Sequence, residues 1–88
     1  MIDSYRAFDI WRRKEPQTLI RYRCFERLAD HRFCVQSADF YRMPLKNEQI
    51  DQLDRQFIEL LLEDSPFDRS PAYDSIEEAL ASHDKKFS

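Results

Sequence analysis

The fold is decided by residues 18–42, which read TLIRYRCFERLADHRFCVQSADFYR. Thr18–Leu28 alternates apolar side chains with arginines, and Phe33–Arg42 follows after a short polar link. Successive side chains of a strand point to opposite faces, so this alternation predicts two strands, each with a core face and a wet face. The link, residues 29–32, is short enough for an antiparallel hairpin.

The alternation also predicts a strand register, with the turn centred on Asp30-His31. Leu28 then faces Phe33, and Cys24 faces Ser37. The chain has no glycine, so Asp30 is expected at any positive-φ position of the turn. The core face then carries one set of side chains from both strands: Ile20, Tyr22, Cys24, Phe33, Val35, Ser37 and Tyr41.

The two cysteines are predicted to be separate, reduced thiols. In this register Cys24 and Cys34 point to opposite faces, and a disulfide would need the strands to slip by an odd step. The first fifteen residues, MIDSYRAFDIWRRKE, are charged where a signal peptide needs an apolar run. No stretch approaches the roughly 18–20 apolar residues of a membrane span. We therefore expect a cytoplasmic protein that does not enter a membrane.

Two further elements flank the hairpin. Tyr5–Arg13 has the spacing of either a helix or a strand, and its aromatic and isoleucine content favours a strand. Asn47–Asp64 carries apolar residues at helical spacing and predicts a long helix. Asn47 is its expected N-cap.

The C-terminal part predicts a loop and a short helix. Pro66–Asp74 contains two prolines and two aromatic residues, which favours a loop that packs down. Ser75 and Glu78 have the spacing of a capping box, so a helix is expected from there to about His83. The remaining tail, residues 84–88, is expected to fray.

These elements predict a single α+β domain over residues 1–88. A three-stranded antiparallel meander packs on one long helix, and the short C-terminal helix closes an edge or the second face. One core is expected to contain residues of both the sheet and the long helix: Ile20, Tyr22, Val35, Ile50, Leu53, Phe57 and Leu61.

Composition excludes several classes of site. Without glycine there is no phosphate-binding loop and no nucleophile elbow. His31 and Cys34 lack the paired spacing of a zinc site. A nucleophilic pair of Cys34 and His83, oriented by Asp39, would have no oxyanion hole. We predict no catalytic residues, no cofactor and no metal.

The wet face of the sheet is the first candidate binding surface. Arginine and aromatic residues are enriched at protein interfaces, and together they also suit unpaired bases. Its predicted members are Trp11, Arg21, Arg23, Phe25, Arg27, Phe40 and Arg42. Either an external partner or the acidic residues of the last helix, Asp74, Glu77 and Glu78, can neutralise these arginines. The pattern favours an external partner for Arg21 and Arg23 and the internal cover for Arg42.

A second candidate surface is the end of the long helix, where Ile58 and Leu62 lie outside the apolar stripe. Such a patch suits a homodimer contact or a partner site. The sequence thus favours a small non-enzymatic interaction or regulatory module that binds a protein partner or a second copy. The alternative is a single-stranded nucleic-acid binder that uses the arginines, and a small enzyme is the third hypothesis.

Overall fold

The computed structural model describes residues 4–87. The elements in chain order are β1 (Tyr5–Glu15), β2 (Thr18–Arg27), β3 (Arg32–Arg42), α1 (Asn47–Glu63), α2 (Pro66–Arg69) and α3 (Ile76–Phe87). The strands form one antiparallel sheet in the order β1-β2-β3. This confirms the predicted α+β meander with a long helix and a C-terminal helix.

The two long helices lie on opposite faces of the sheet. On one face, here called the arginine face, Phe57 of α1 stacks on Phe25 of β2 with ring centroids 5.6 Å apart. On the other, the core face, Ala79 of α3 is buried with Ile20 and Tyr22. The C-terminal helix therefore closes the second face of the sheet.

The sheet divides the apolar residues, so the predicted single core is wrong. The buried cluster is Ile20, Tyr22, Cys24, Val35 and Ala79, all on the core face. The α1 residues expected there lie across the sheet and are only half-buried: Ile50, Leu53, Phe57 and Leu61. A three-stranded sheet has two faces to cover. Helix α3 covers the core face, which was predicted to be covered by α1, and α1 covers the arginine face.

The predicted register of the hairpin is also wrong. Cys24 pairs with Val35 instead of Ser37, and Arg23 pairs with Ser37. Gln36 is therefore an extra residue, and it forms a β-bulge. A bulge inserts one residue into one strand and so reverses the alternation of side chains beyond it.

Beyond the bulge, the reversal moves Phe40, Tyr41 and Arg42 to the face opposite the predicted one. Phe40 pairs with Ile20, and Arg42 pairs with Thr18, so both lie on the core face. Tyr41 pairs with Leu19 and lies on the arginine face. Cys24 and Cys34 keep the predicted opposite orientations because both lie on the turn side of the bulge, where Cys34 pairs with Phe25.

The turn uses a different residue for its positive φ. The link runs over residues 28–31, and His31, not Asp30, has φ 56°. The Asp30 carboxylate instead accepts hydrogen bonds from the Arg27 side chain and from the backbone N–H of Arg32. An aspartate that bonds the backbone two residues on forms an Asx turn, and that turn places the intervening His31 in the left-handed region.

The helix ends depart from expectation at two places. The N-cap of α1 is Lys46, not Asn47, and it forms no side-chain cap bond. The Ser75 hydroxyl accepts from the Glu78 backbone N–H at 3.1 Å, as the capping box predicts. Helix α3 then continues through Phe87, so the expected fraying from residue 84 is wrong. Asp84 anchors this last turn because Tyr22 Oη donates to it at 2.7 Å.

Candidate functional site

The arginine face is not a wet surface. Helix α1 covers it, and only 3% of Arg23 and 1% of Phe25 are exposed. Arg23 also places its guanidinium carbon 4.7 Å from the centre of the Phe57 ring. Residues under a packed helix cannot contact a partner in this conformation.

Carboxylates of the same chain neutralise these arginines. Arg23 donates to Asp39 and to Asp54, each at 2.7 Å. Arg21 donates to Asp9 at 2.8 Å and to Asp54 at 3.3 Å. The hydrogen bond from Arg23 is the main reason why the pKa of Asp54 lies below its ordinary value.

The source of the cover differs from the prediction. Arg21 and Arg23 were expected to pair with the anions of an external partner. Their carboxylate partners instead come from α1 and from the neighbouring strands β1 and β3. Of the last helix's predicted acids, Asp74 pairs with Arg32, at 3.3 Å. Glu77 and Glu78 form no ion pair with any side chain among residues 4–87. Helix α3 lies across the sheet from the arginines, so its acids do not reach them.

The remaining predicted members are dispersed. Arg27 bonds Asp30 and lies 4.6 Å over the Phe67 ring. Trp11 stays 51% exposed at the edge of α1. Phe40 and Arg42 lie on the opposite face. The seven predicted residues therefore do not form one surface.

Exposed apolar side chains gather instead at one end of the elongated molecule, which measures 44 × 25 × 18 Å. We call it the hairpin end after the β1–β2 turn that it contains, and it is the end opposite the β2–β3 turn. It also contains the start of α1 and the end of α3. Of nine large apolar residues exposed among residues 4–87, six lie here: Trp11, Leu19, Phe40, Met43, Leu45 and Phe87. The same end carries five cationic side chains: Arg12, Arg13, Lys14, Arg42 and Lys46.

The core face opens into a cavity at the hairpin end. Its volume is about 650 Å³, and it lies between the sheet and the last turn of α3. Ile20 and Tyr22 line it, while Phe40 (52% exposed) and Phe87 (69% exposed) stand at its mouth. We call this the core-face cavity.

Charged and polar groups are fixed around this apolar floor. Arg12 and Lys14 of β1 line the cavity from one side. Arg12 donates to Tyr22 Oη at 3.0 Å and to Asp84 at 2.7 Å, which holds the end of α3 on the sheet. Gln36, the bulge residue, also lines the cavity, and its Nε2 is buried without a hydrogen-bond partner among the described residues. The cavity thus combines apolar rings with two cations, one of which, Arg12, is paired with the Asp84 carboxylate.

Sequence reasoning missed most of this site. The extra residue Gln36 hid the fact that Phe40 faces the same way as Ile20. The assumption of a frayed tail removed Asp84 and Phe87 from consideration. One signal was available, because His83 and Phe87 are four residues apart and so lie on the same side of a helix; their rings are 4.6 Å apart.

The second predicted surface is exposed as expected. Ile58 is 56% and Leu62 is 82% exposed on α1, far along the helix from the hairpin end. No residue of α1 is buried. This helix retains an apolar flank that the monomer does not cover.

The possible catalytic and metal groups do not come together. Cys34 pairs with Phe25 and faces the arginine face, whereas His83 lines the cavity across the sheet. Within residues 4–87, no three side chains of His, Cys, Asp or Glu are grouped to hold a metal ion. None of the helices in this part of the chain is long and apolar enough to cross a membrane.

The thiols are predicted to be inert in the folded protein. Cys24 and Cys34 are free and buried, and burial raises the pKa of each to about 12. Since the thiolate is the reactive form, a thiol reagent such as DTNB at pH 8 should label neither residue in native protein and both in urea. Fast native labelling of either cysteine would contradict the burial of that residue.

Comparisons of the chain with protein-family models, with curated proteins and with solved structures find no match.

Proposed function

We propose that this protein is a non-enzymatic interaction module that binds an acidic, apolar segment of a partner protein in the core-face cavity. The observation that supports this proposal is the pair of exposed rings, Phe40 and Phe87, at the mouth of an apolar cavity lined by Arg12 and Lys14. Exposed aromatic rings over a recess are the usual anchors of protein interfaces.

The size and chemistry of the cavity favour a peptide segment. A volume of about 650 Å³ accommodates a few side chains of a partner. Apolar side chains would bury the Phe40 and Phe87 rings, which supplies affinity. Carboxylates of the segment would meet Lys14, which supplies orientation and charge complementarity, whereas Arg12 is already paired with Asp84.

The arginine face does not support the alternative of single-stranded nucleic-acid binding. Arg21 and Arg23 already donate to Asp9, Asp39 and Asp54. Phe25, the predicted stacking ring, is 1% exposed. An enzyme also lacks support, because the two thiols are buried with raised pKa values.

A peptide library tests the proposal. Displayed random peptides selected on the protein should be enriched in Asp and Glu next to Phe, Leu, Ile or Trp. The dissociation constant of a selected peptide should rise at least about tenfold in Phe40→Glu, a loss of about 1.4 kcal/mol. The matched control is Leu28→Glu, which places the same charge on an apolar residue that is 46% exposed at the β2–β3 turn, far from the cavity, and should bind like wild type.

The same assay distinguishes the competing hypotheses. A labelled single-stranded oligonucleotide should not displace the peptide from the protein. Any residual binding of the oligonucleotide should be the same in wild type and in Phe40→Glu. Enrichment of basic peptides, or equal binding by wild type and Phe40→Glu, would refute the proposed site. Tight oligonucleotide binding that weakens steeply with salt would favour the nucleic-acid alternative.

We also propose that the protein resides in the cytoplasm. Two free thiols without a disulfide support a reducing compartment. Fractionation of the native host, with detection by antibody, tests this location.

A further inference from the structure

We propose that the α1 side of this protein docks on a second copy of the same chain. The two copies are antiparallel about a two-fold axis that passes near the middle of α1. The C-terminal half of each α1 then contacts the hairpin end of the other copy. This surface lies across the sheet from the core-face cavity, so the inference does not depend on the proposed function.

The first observation is the poor cover of α1. This helix has 17 residues, and none of them is buried. Helices of this length gain most of their stability from the packing of an apolar face. The exposed flank of α1 ends in Ile58 and Leu62, one helical turn apart, and 82% of Leu62 is exposed.

The second observation is a matching apolar patch at the hairpin end, on the same side of the sheet. Leu19, Met43 and Leu45 line a recess of about 350 Å³. Trp11 adjoins it, since its ring centroid is 6.0 Å from that of Tyr41, which also lines the recess. A recess among exposed apolar side chains can receive Ile58 and Leu62 of a second copy.

Charge selects the antiparallel arrangement. Helix α1 contains five acidic residues and one basic residue. Glu48 and Asp51 lie near its start, while Glu59 and Glu63 flank Leu62 at its C-terminal half, where Glu63 also pairs with Arg69. The hairpin end carries Arg13 and Lys46 on this side. An antiparallel pair places Glu59 and Glu63 of each copy beside Arg13 and Lys46 of the other, whereas a parallel pair would place Glu59 and Glu63 of the two copies together.

The geometry also closes the assembly at two copies. At 1.5 Å per residue, the 17 residues of α1 span about 25 Å. The apolar flank and the recess therefore lie near opposite ends of one helix. A two-fold axis between them makes each contact twice, as in the isologous interface of a dimer. A second copy is thus a self-complementary occupant.

Reciprocal charge reversal tests this interface. The first variant, Arg13→Glu with Lys46→Glu, makes the hairpin end acidic. The second variant, Glu59→Lys with Glu63→Lys, makes the end of α1 basic, and the helix dipole favours the new lysines there. Sedimentation velocity should give wild type at twice the monomer mass of 10.7 kDa.

Each variant alone should weaken dimerisation at least about tenfold, because like charges then face each other at both contacts. An equimolar mixture should recover a dimer that contains one copy of each, which a mere loss of folding would not allow. Emission of Trp11, the only tryptophan, should shift to shorter wavelength on dimerisation. Monomeric wild type at several hundred micromolar, or variants that dimerise as wild type does, would overturn the inference.

Discussion

Phe25→Ala is expected to destabilise the protein by about 3–5 kcal/mol, the usual cost of removing a buried aromatic ring. Only 1% of Phe25 is exposed. Its ring stacks on Phe57 and meets the edge of Tyr5 at 6.1 Å. Since no residue of α1 is itself buried, the buried Phe25 ring is an apolar contact through which the sheet holds this helix. Its removal leaves a cavity and loosens α1.

Urea denaturation followed by circular dichroism measures this loss. The matched control is Phe40→Ala, which removes the same ring from a site that is 52% exposed and should cost about 1 kcal/mol or less. A domain of this size has a total stability of roughly 5–15 kcal/mol, so Phe25→Ala can unfold it. In that event Phe25→Leu, expected to cost about 1–2 kcal/mol, provides the comparison. Equal losses at the two sites would contradict the packing of α1 on Phe25.

Arg23→Met is expected to cost about 3–5 kcal/mol. Methionine keeps the apolar stem over Phe57 but removes the cation between Asp39 and Asp54. Asp39 is then left without its partner, with 11% of its side chain exposed. The loss of one partner from a buried ion pair leaves an uncompensated charge, which is strongly destabilising.

Two comparisons isolate that charge. Arg32→Met breaks the exposed pair with Asp74 and should have a much smaller effect. The double variant Arg23→Met/Asp39→Leu removes both charges and should be more stable than Arg23→Met alone. If the double variant is instead the less stable of the two, the effect of Arg23 is packing and not charge.

Acid pH provides a further check on the same arginine. Arg23 lowers the pKa of Asp54 in the folded protein. A lowered folded-state pKa contributes stability above the unfolded pKa of about 3.9, and that contribution is lost as the pH falls through the folded-state value. The gap in urea midpoint between wild type and Arg23→Met should therefore narrow from pH 7 to pH 3. An unchanged gap would contradict the ion pairs.

Both proposed binding sites lie at the hairpin end. The core-face cavity lies on one side of the sheet, and the recess for a second copy lies on the other. A dimer of this kind presents two peptide sites, and a partner with two suitable segments would bind with increased avidity. Phe40→Glu and the charge-reversal variants act on different sides, so either proposal can fail while the other holds.

The sequence by itself determined the type and approximate limits of β2, β3 and α1, and it favoured a strand over a helix for residues 5–13. Alternation in Thr18–Arg42 and helical spacing in α1 are local properties, which each segment carries wherever it packs. The capping box at Ser75 is local in the same sense. The sequence also placed Cys24 and Cys34 on opposite faces correctly, because the bulge lies beyond both of them.

Only the tertiary structure decided the site. Gln36 bulges when β2 and β3 pair, and no pattern within β3 alone predicts that reversal. Helix α1 covers the arginine face because Asp54 contacts Arg23 and Phe57 stacks on Phe25. The last turn of α3 is stable because Asp84 reaches Tyr22 and Arg12, far away in the chain. These are contacts between distant segments, and their free energy exists only once the chain has folded.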